Sequence, residues 1–367
     1  MKLLDRSLVE GISFNPYYQI TNKHKYIDLA SNNYLGLAED SRIKSAAIQA
    51  IEVYGTSMCG TPIATGYIDL FEKVEKKLSD FVGLEETIIF PSCYQANNGI
   101  FSMLVENEDV ILVDRYAHSS LMQGIKSVGC KVIPFMHNDM DHLEKVLKRS
   151  QSYNNIFVVT ESVFSTEGSI APLDRILALC EKYNAMSIVD DSHGIGVIGE
   201  NGKGVLEHFH IKDFDGIYTA SLGKALANSG GMVSANKKTI EVLRHYCPHL
   251  IYSTAITPAS LGGILAALDV IEKDYEKLKA VLGDYKNTIC QATNLFIDSL
   301  TPINALRTGG ANTTLLATKK LFEQGIYTTP FIEPSVPKNE GVVRMIAGAG
   351  LTKEQVCYVA NVIREIL

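Results

Sequence analysis

Short apolar runs alternate with amphipathic stretches over the first two thirds of the chain. In the amphipathic stretches apolar residues recur every three or four positions, which predicts helices at Ser45–Tyr54, Asp69–Val82, Met140–Arg149 and Leu173–Tyr183. The short runs predict strands at Thr87–Phe90, Val110–Val113, Lys131–Phe135, Ile156–Thr160, Met186–Asp190 and Gly216–Thr219. Apolar strands separated by helices indicate an α/β domain with a mostly parallel sheet covered on both faces. In such sheets, ligands bind at the carboxyl ends of the strands.

The pattern changes after about Thr257. A long helical pattern extends to about Leu300. It is followed by a strand-like run at Thr313–Leu316, a helix near Lys319–Gln324 and a closing helix at Thr352–Leu367. These elements predict a smaller, carboxyl-terminal α+β domain. We therefore expect an amino-terminal segment at 1–40, a large domain at 41–255 and a small domain at 256–367.

Composition narrows the class of protein. With 46% hydrophobic and 20% charged residues among 367, the chain can bury a large core. A net charge of −7 disfavours a nucleic-acid-binding protein, which needs a basic face. The seven cysteines are an odd number and form no CxxC pair, so we expect reduced thiols and a cytoplasmic location. Met1–Asn15 has no apolar core of a secretory signal, and the uncharged stretch Leu250–Leu268 is too rich in Ser, Thr, Pro and Gly for a membrane span.

Polar groups follow two of the predicted strands in a way that suggests chemistry. The run IVDDSHG (188–194) ends a strand in two carboxylates and an imidazole, which is costly unless these groups have partners. The alternative is that Asp191 or Ser192 merely caps a turn. In TASLGKA (219–225), Lys224 follows a strand, and a lysine there can form a Schiff base with an aldehyde cofactor. A solvated surface lysine is the alternative, and Tyr218 stands where a Walker motif needs Gly.

Two further fragments also follow strands. In FPSCYQAN (90–97), a helix beginning around Tyr94 would offer free N–H groups to a phosphate, although an ordinary strand-to-helix turn is equally possible. In DRYAHSS (114–120), the flat ring of His118 could stack on a planar cofactor, or the histidine could be structural. Taken together, the four fragments predict an anion anchor, an acid, a ring and a lysine in one crevice.

These fragments belong to a longer series of motifs. The series runs through SNNYLGL (31–37), SCYQAN, HSSLMQG (118–124), FMHND (135–139), FSTEGSIAPL (164–173), VDDSHGIGVIGENGKG (189–204), SLGKA and VVRMIAGAGLT (342–352). In this order and spacing it resembles the α-oxoamine synthases, which depend on pyridoxal 5'-phosphate (PLP). The resemblance covers nearly the whole chain. It implies fold type I, with a mostly parallel seven-stranded sheet in the large domain and a smaller α+β domain.

The resemblance also implies roles for individual residues. Lys224 would hold PLP covalently and later remove the Cα proton. Asp190 would pair with the pyridine nitrogen, His193 would bond the phenolic oxygen and His118 would stack on the ring. A carboxylate at the nitrogen keeps it protonated, which makes the ring a better electron sink.

Other residues would bind the remaining groups. The phosphate would be held by Ser92, by the N–H groups of Cys93 and Tyr94, by Ser221, and by Thr254 of a neighbouring subunit. This implies a homodimer with shared sites. Glu161 and Ser165 would flank the cofactor. Asn32 and Arg344 would bind the carboxylate of the amino acid, a task that suits the planar guanidinium.

The reaction implied is a decarboxylating condensation. An amino acid loses its Cα proton, attacks an acyl-CoA thioester, and yields an α-aminoketone, CoA and CO2. The chain departs from the family at Pro62, where an Arg is usual, near Phe71, where a His is usual, and at Glu333, which replaces an Arg. These positions lie where substrate chains approach, so acyl specificity is open. FMHND, STEG and TASLGK also resemble synthases of α-aminoketone signals.

Three alternatives remain. An aminotransferase or lyase could use the same fold, and it would need no thioester. A non-catalytic partner subunit could share the fold, but such a subunit would be expected to lack Lys224. A metal enzyme is disfavoured, because the pairs His208/His210 and His245/His249 belong to no recognisable metal motif and Pro248 interrupts the second.

Overall fold

The computed structural model describes residues 26–366, which fall into two units. The large unit comprises residues 33–165 and 169–279, and the small unit comprises residues 26–32, 166–168 and 280–366. The predicted domain boundary near residue 255 precedes a long helix, whereas the division into units falls within that helix, between Lys279 and Ala280. Of the predicted amino-terminal segment 1–40, residues 1–25 lie outside the described residues.

The described residues form strands and helices that we number in chain order. The strands are β1 (Ile27–Asp28), β2 (Glu86–Phe90), β3 (Val110–Asp114), β4 (Lys131–Phe135), β5 (Ile156–Glu161), β6 (Met186–Asp190), β7 (Ile217–Ser221), β8 (Gly231–Ala235), β9 (Ile303–Gly309), β10 (Ile326–Tyr327), β11 (Thr329–Phe331) and β12 (Gly341–Ile346). The helices are α1 (Ser41–Tyr54), α2 (Asp69–Val82), α3 (Cys93–Leu104), α4 (Ser119–Lys126), α5 (Met140–Arg149), α6 (Leu173–Lys182), α7 (Val205–His208), α8 (Lys237–Tyr246), α9 (Pro248–Ile251), α10 (Pro258–Cys290), α11 (Ala311–Glu323) and α12 (Lys353–Ile366). Short helical turns also occur at Leu37–Glu39 and Pro62–Gly66.

The large unit is built on a seven-stranded sheet in the order β2-β8-β7-β6-β5-β3-β4. Only β8 runs antiparallel to its neighbours, so the other six strands point their carboxyl ends toward one edge. The predicted mostly parallel α/β sheet is confirmed, and all six predicted strands are present. The seventh strand, β8, was not predicted, because GMVSA is short and its Gly and Ser break the apolar run.

Helix periodicity predicted some helices with their observed bounds, whereas the long pattern expected to reach about Leu300 ends at Cys290 as α10. The apolar positions of α2 and α5 gave the observed bounds of both helices, because each has one apolar face to bury. α2 ends at Val82 and is capped by Gly83, whose φ of 76° is left-handed and whose N–H donates to the carbonyl of Ser79. α8 ends at Tyr246 and α9 begins at Pro248, so His245 and His249 lie on different helices.

An ion pair between the buried Glu75 and the half-buried Arg244 connects α2 to α8 beside the sheet. Glu75 is 6% exposed, and its Oε2 accepts from Arg244 Nη2 at 2.8 Å and from the Tyr67 hydroxyl at 3.0 Å. Its Oε1 accepts from the N–H of Ile89 at 3.1 Å. Burial raises the pKa of Glu75, and the nearby Arg244 guanidinium opposes that rise. The pair therefore depends on both partners being present.

Removing one partner should cost stability. We expect Arg244→Met to lower the free energy of unfolding by about 3 kcal/mol, because it leaves a buried carboxylate without its cation. Urea unfolding monitored by circular dichroism would measure the change. The double variant Glu75→Leu/Arg244→Met should regain most of the loss. A double variant as unstable as the sum of both single variants would contradict this account.

The small unit is an α+β structure. β11, β12 and β9 form an antiparallel sheet, and β1 pairs in parallel with β10. Its core includes Leu29, Leu306, Val343 and Ile363, all essentially without solvent exposure. None of the helices between residues 26 and 366 has the length and apolar character needed to cross a membrane.

One predicted element of the small unit is wrong. Thr313–Leu316 is not a strand but part of α11. Two threonine hydroxyls of α11 bond backbone carbonyls four residues earlier, Thr314 that of Gly310 and Thr318 that of Thr314. The strand of this region is β9, which ends just before α11 and pairs with β12. Pairing over a long sequence distance outweighed the local β propensity of the threonines.

Candidate active site

The carboxyl edge of the large sheet brings the predicted polar fragments together. Asp190 ends β6, Glu161 ends the neighbouring β5 directly beside it, and Ser221 ends β7. α3 begins at Cys93, shortly after β2 ends at the same edge. Parallel strand direction is therefore what collects residues far apart in the sequence.

Asp190 is held by hydrogen-bond donors. It is 4% exposed, and its Oδ2 accepts from Asn97 Nδ2 at 2.7 Å while its Oδ1 accepts from the N–H of Ser192 at 3.0 Å. Asn97 is itself fully buried, and its Oδ1 accepts from the Thr219 hydroxyl at 2.8 Å. An ionised carboxylate only accepts, so both partners suit the charged form. Sequence analysis missed Asn97, although an amide on a buried helix face was a usable signal.

His118 is connected to Asp190 through two side chains. It caps the start of α4, where Nδ1 accepts from the N–H of Ser120 at 3.2 Å and lies 2.9 Å from its hydroxyl. The Ser120 hydroxyl in turn accepts from Asn97 Nδ2 at 2.9 Å. Partial burial lowers the pKa of His118; the negative charge of Asp190 opposes this and the positive charge of Lys224 adds to it. The ring is thus a neutral, oriented plane near neutral pH.

His193 is held in a tight turn after β6. It is 3% exposed, and its Nδ1 lies 2.7 Å from the hydroxyl of Tyr34. The backbone carbonyl of Asp191 accepts from the N–H groups of Gly194 and Ile195, which closes the turn. Tyr34 lies in the motif SNNYLGL, but sequence analysis assigned this tyrosine no role.

Asp191, next to Asp190 in the sequence, bonds other residues than those around Asp190. It is fully buried, and its Oδ2 accepts from the Tyr218 hydroxyl at 2.7 Å and the N–H of Val205 at 2.9 Å. Burial raises the pKa of Asp191 to about 7 despite these bonds. The two adjacent aspartates therefore differ in surroundings, and Asp191 anchors the following loop.

The raised pKa of Asp191 predicts a pH-dependent stability. An unfolded Asp ionises near pH 4, whereas this residue keeps its proton until about pH 7 when folded. Stability contributed by this residue is therefore full below about pH 4 and falls as the pH rises to about 7. We expect Asp191→Asn to gain thermal stability over the wild type progressively from pH 5 to 7.5. Melting temperatures of both proteins across this range test it, and a constant difference would contradict it.

The start of α3 forms a cradle suited to an anion. Ser92 caps this 12-residue helix by accepting from the N–H of Gln95 at 3.2 Å, which leaves Cys93 and Tyr94 as its first residues. Gly231 of β8 packs against this point, since a Cβ there would lie 2.3 Å from the backbone of Cys93. A helix N-terminus favours a phosphate group through its free N–H groups and its dipole.

Lys224 stands in the connection between β7 and β8. It is half-buried, and its carbonyl accepts from the N–H of Ala227 at 2.9 Å, which closes a turn. Ser221 precedes it; its N–H donates to the Ser192 hydroxyl at 2.9 Å, and its own hydroxyl accepts from the N–H of Gly223 at 3.2 Å. The lysine and this hydroxyl therefore follow the strand next to Asp190.

The other predicted residues of the large unit occupy different settings. Glu161 is buried and Ser165 is half-buried after β5. Thr254 is exposed, and the next residue, Ala255, donates its N–H to the carbonyl of Gly60 at 2.9 Å.

The predicted carboxylate-binding pair lies in the small unit. Arg344, on β12, is only 6% exposed, and its guanidinium lies 5.0 Å from the ring centre of Phe331. Its Nη2 donates to the carbonyl of Ala30 at 3.4 Å, two residues before Asn32. Asn32 has a buried Oδ1 without a hydrogen-bond partner among residues 26–366. Arg344 is therefore a buried residue and not a surface arginine.

Two of the family departures meet in one pocket. Pro62 and Phe71 line a pocket of about 280 Å³ with Ile63, Ile88 and Leu250. Arg244, one of two basic side chains lining it, is already paired with Glu75. The third departure, Glu333, is exposed in the small unit.

The site residues fit one kind of cofactor. A buried carboxylate suits a pyridine nitrogen, the start of α3 suits a phosphate, and the lysine after β7 suits an aldehyde. The lack of a side chain at Gly231 also lets β8 lie close to the start of α3. This combination, on a mostly parallel seven-stranded sheet, defines the class of PLP-dependent transferases of fold type I.

Comparisons with known proteins agree. Residues 24–363 match the model of the family described as aminotransferase class I and II. The chain is similar to 8-amino-7-oxononanoate synthase of Treponema denticola, with 36% identity over 92% of this chain and 86% of the relative. It is similar in structure to serine palmitoyltransferase of Sphingomonas wittichii, with a TM-score of 0.88 and 26% identity over 93% of this chain and 87% of the other. For 8-amino-7-oxononanoate synthase of Francisella tularensis the TM-score is 0.79, with 28% identity over 93% and 97% of the two chains.

The chain therefore belongs to the aminotransferase class I and II family. Within it, the chain is an α-oxoamine synthase. It is a PLP-dependent acyltransferase that condenses an amino acid with an acyl thioester, with loss of CO2, to give an α-aminoketone.

Proposed function

We propose that the residues at the carboxyl edge of the large sheet carry this condensation. The observation behind the proposal is the convergence of Asp190, Lys224 and the start of α3, each following a parallel strand, at that edge. When bound, PLP supplies the electron sink that makes the Cα–H bond of the amino acid acidic. All other tasks fall to side chains of this chain.

Lys224 would hold the aldehyde of the cofactor through Nζ, and the same atom, when free of the cofactor, would take the Cα proton. The negative charge of Asp190 would keep a proton on the ring nitrogen, and Asn97 and the N–H of Ser192 hold its carboxylate in place. His118 would cover the ring as a neutral plane. His193 would donate to the phenolic oxygen, and Glu161 and Ser165 would flank the ring.

The phosphate of the cofactor and the carboxylate of the amino acid would be bound by two different sets of hydrogen-bond donors. The phosphate would be bound by the N–H groups of Cys93 and Tyr94 and by the hydroxyls of Ser92 and Ser221. In the small unit, Arg344 binds the substrate carboxylate with both arms of its guanidinium. Asn32 adds an amide to the same anchor, and its buried unpartnered Oδ1 supports a ligand-facing role.

We further propose that the acyl chain ends without a charge. The pocket containing Pro62 and Phe71 is mostly apolar, and the carboxylate of Glu75 lines it. A carboxylate at the far end of the acyl chain would therefore be repelled by Glu75 and would lose its hydration in this pocket.

A substrate screen tests the function. Wild-type holoenzyme is mixed with small amino acids and with acetyl-, octanoyl- and palmitoyl-CoA, and with an acyl-CoA ending in a carboxylate. Free CoA is read with a thiol reagent, and the products are read by mass spectrometry. CoA release with an α-aminoketone product supports the proposal. A keto acid formed without thioester would indicate an aminotransferase, and preference for the carboxylate-ended chain would refute the uncharged acyl chain.

We also propose a homodimer in which Thr254 reaches the phosphate of the partner's cofactor. The surface around it carries unusually exposed apolar side chains, with Ile63 at 56%, Tyr246 at 67% and Tyr252 at 82% exposure. Such side chains commonly mark protein interfaces. We also propose a cytoplasmic location, because the seven cysteines are an odd number and form no CxxC pair.

Mixed dimers distinguish an active site built from both subunits from one built from a single subunit. Lys224→Ala and Thr254→Asp should each be nearly inactive alone, the second because its charge repels phosphate. If Thr254 acts in the partner's site, refolding the two together creates one intact site per mixed dimer and restores activity. If it acts in its own subunit, the mixture stays inactive. Light scattering would establish the dimer independently.

A further inference from the structure

Tyr34 is a fully buried side chain with a polar contact to the candidate site. It is 0% exposed, and its hydroxyl lies 2.7 Å from His193 Nδ1. The two rings are nearly perpendicular, with an interplanar angle of 87° and centroids 6.1 Å apart. A buried phenol hydroxyl costs free energy unless it is hydrogen-bonded, so the contact fixes both side chains.

The surroundings of Tyr34 keep it in place. The buried Leu35 and Leu37 follow it, and Gly36 between them has a φ of 72°, a left-handed turn that favours glycine. On the other side, the turn from Asp190 to Gly194 sets the backbone of His193. The backbone of His193 is therefore fixed by one segment, and the Nδ1 edge of its ring is fixed by another.

A histidine bonded at one nitrogen has only the other available for chemistry. With Nδ1 bonded to Tyr34, a contact from the His193 ring to a ligand would be made through Nε2. Which nitrogen carries the proton is set by the bond that the other makes. A donor at Nδ1 leaves the proton on Nε2, whereas an acceptor at Nδ1 removes it from Nε2.

We propose that Tyr34 is a positioning residue that donates its hydroxyl proton to Nδ1 of His193. This holds His193 as the Nε2–H tautomer, ready to donate to the phenolic oxygen of the cofactor. The inference rests on the proposed function for the role of His193. The hydrogen bond that selects the tautomer comes from Tyr34.

The first test is the pKa of the Lys224–cofactor linkage, read from its visible absorbance against pH in the holoenzyme. A donor to the phenolic oxygen withdraws charge from the linkage and lowers its pKa. Tyr34→Phe should therefore raise this pKa by roughly half a unit or more. The kcat for CoA release should fall roughly tenfold while KM for the amino acid changes little. Tyr275→Phe is the matched control, since it removes a buried hydroxyl bonded at 2.8 Å to the carbonyl of Val197.

A double-variant cycle separates this role from a general loss of structure. In a His193→Gln background, adding Tyr34→Phe should change neither the linkage pKa nor kcat further. Equal effects of Tyr34→Phe with and without His193, or no pKa change beyond that of Tyr275→Phe, would overturn the inference.

A second measurement uses the wild-type protein and does not depend on a variant that folds. Nitrogen NMR of histidine-labelled enzyme, with His193→Gln to assign the signals, reports which ring nitrogen is protonated. A protonated Nε2 and an unprotonated Nδ1 are expected, and the reverse would overturn the inference. If wild type shows no visible band, the proposed function fails, while the NMR result still decides the tautomer.

Discussion

Lys224→Ala should abolish both covalent cofactor attachment and catalysis. We expect the visible band of the wild-type holoenzyme to be lost or shifted, and CoA release to fall by at least about a thousandfold. The reason is that, under the proposed function, one amine would perform two tasks, since Lys224 Nζ would hold the aldehyde and then take the Cα proton. Borohydride reduction followed by peptide mapping would place the cofactor mass on the peptide containing Lys224 in the wild type only.

Lys224→Arg is the matched control. It keeps the positive charge and most of the side-chain length, but a guanidinium does not form the Schiff base under these conditions. If charge alone mattered, Lys224→Arg would retain activity. Reducible attachment that persists in Lys224→Ala would refute the assignment and the catalytic role with it.

Asp190→Asn should give the second large effect. We expect CoA release to fall roughly 100- to 1,000-fold, because a neutral amide does not hold a proton on the ring nitrogen. Cofactor attachment to Lys224 should survive, so the visible absorbance band should remain although the rate of CoA release falls. Spectra and steady-state rates of the same preparation measure both.

The adjacent Asp191→Asn provides the control for this substitution. It makes the same chemical change one residue away, in a buried carboxyl that bonds Tyr218 and Val205 instead of the site. We expect it to keep most of the wild-type rate. Equal losses in the two variants would mean that charge in the turn, and not the position of Asp190, matters.

The sequence was sufficient to locate most of the sheet. Its six apolar runs became six strands of the large sheet, because burial on both faces demands near-continuous apolar side chains. The short antiparallel β8 had no such pattern, and Thr313–Leu316 had a strand-like pattern but became helix α11. In both cases pairing partners distant in the sequence decided the outcome.

The sequence alone determined the class of chemistry and the residues that could perform it. Asp190 was recognisable because it ends an apolar run where a charged residue is costly. The roles of Lys224 and Arg344 came from the resemblance of their motifs to the α-oxoamine synthases. The tertiary structure alone decided which uncharged side chains hold them, namely Asn97 at Asp190 and Tyr34 at His193. Such partners lie 93 and 159 residues apart, and only the fold brings them within hydrogen-bond distance.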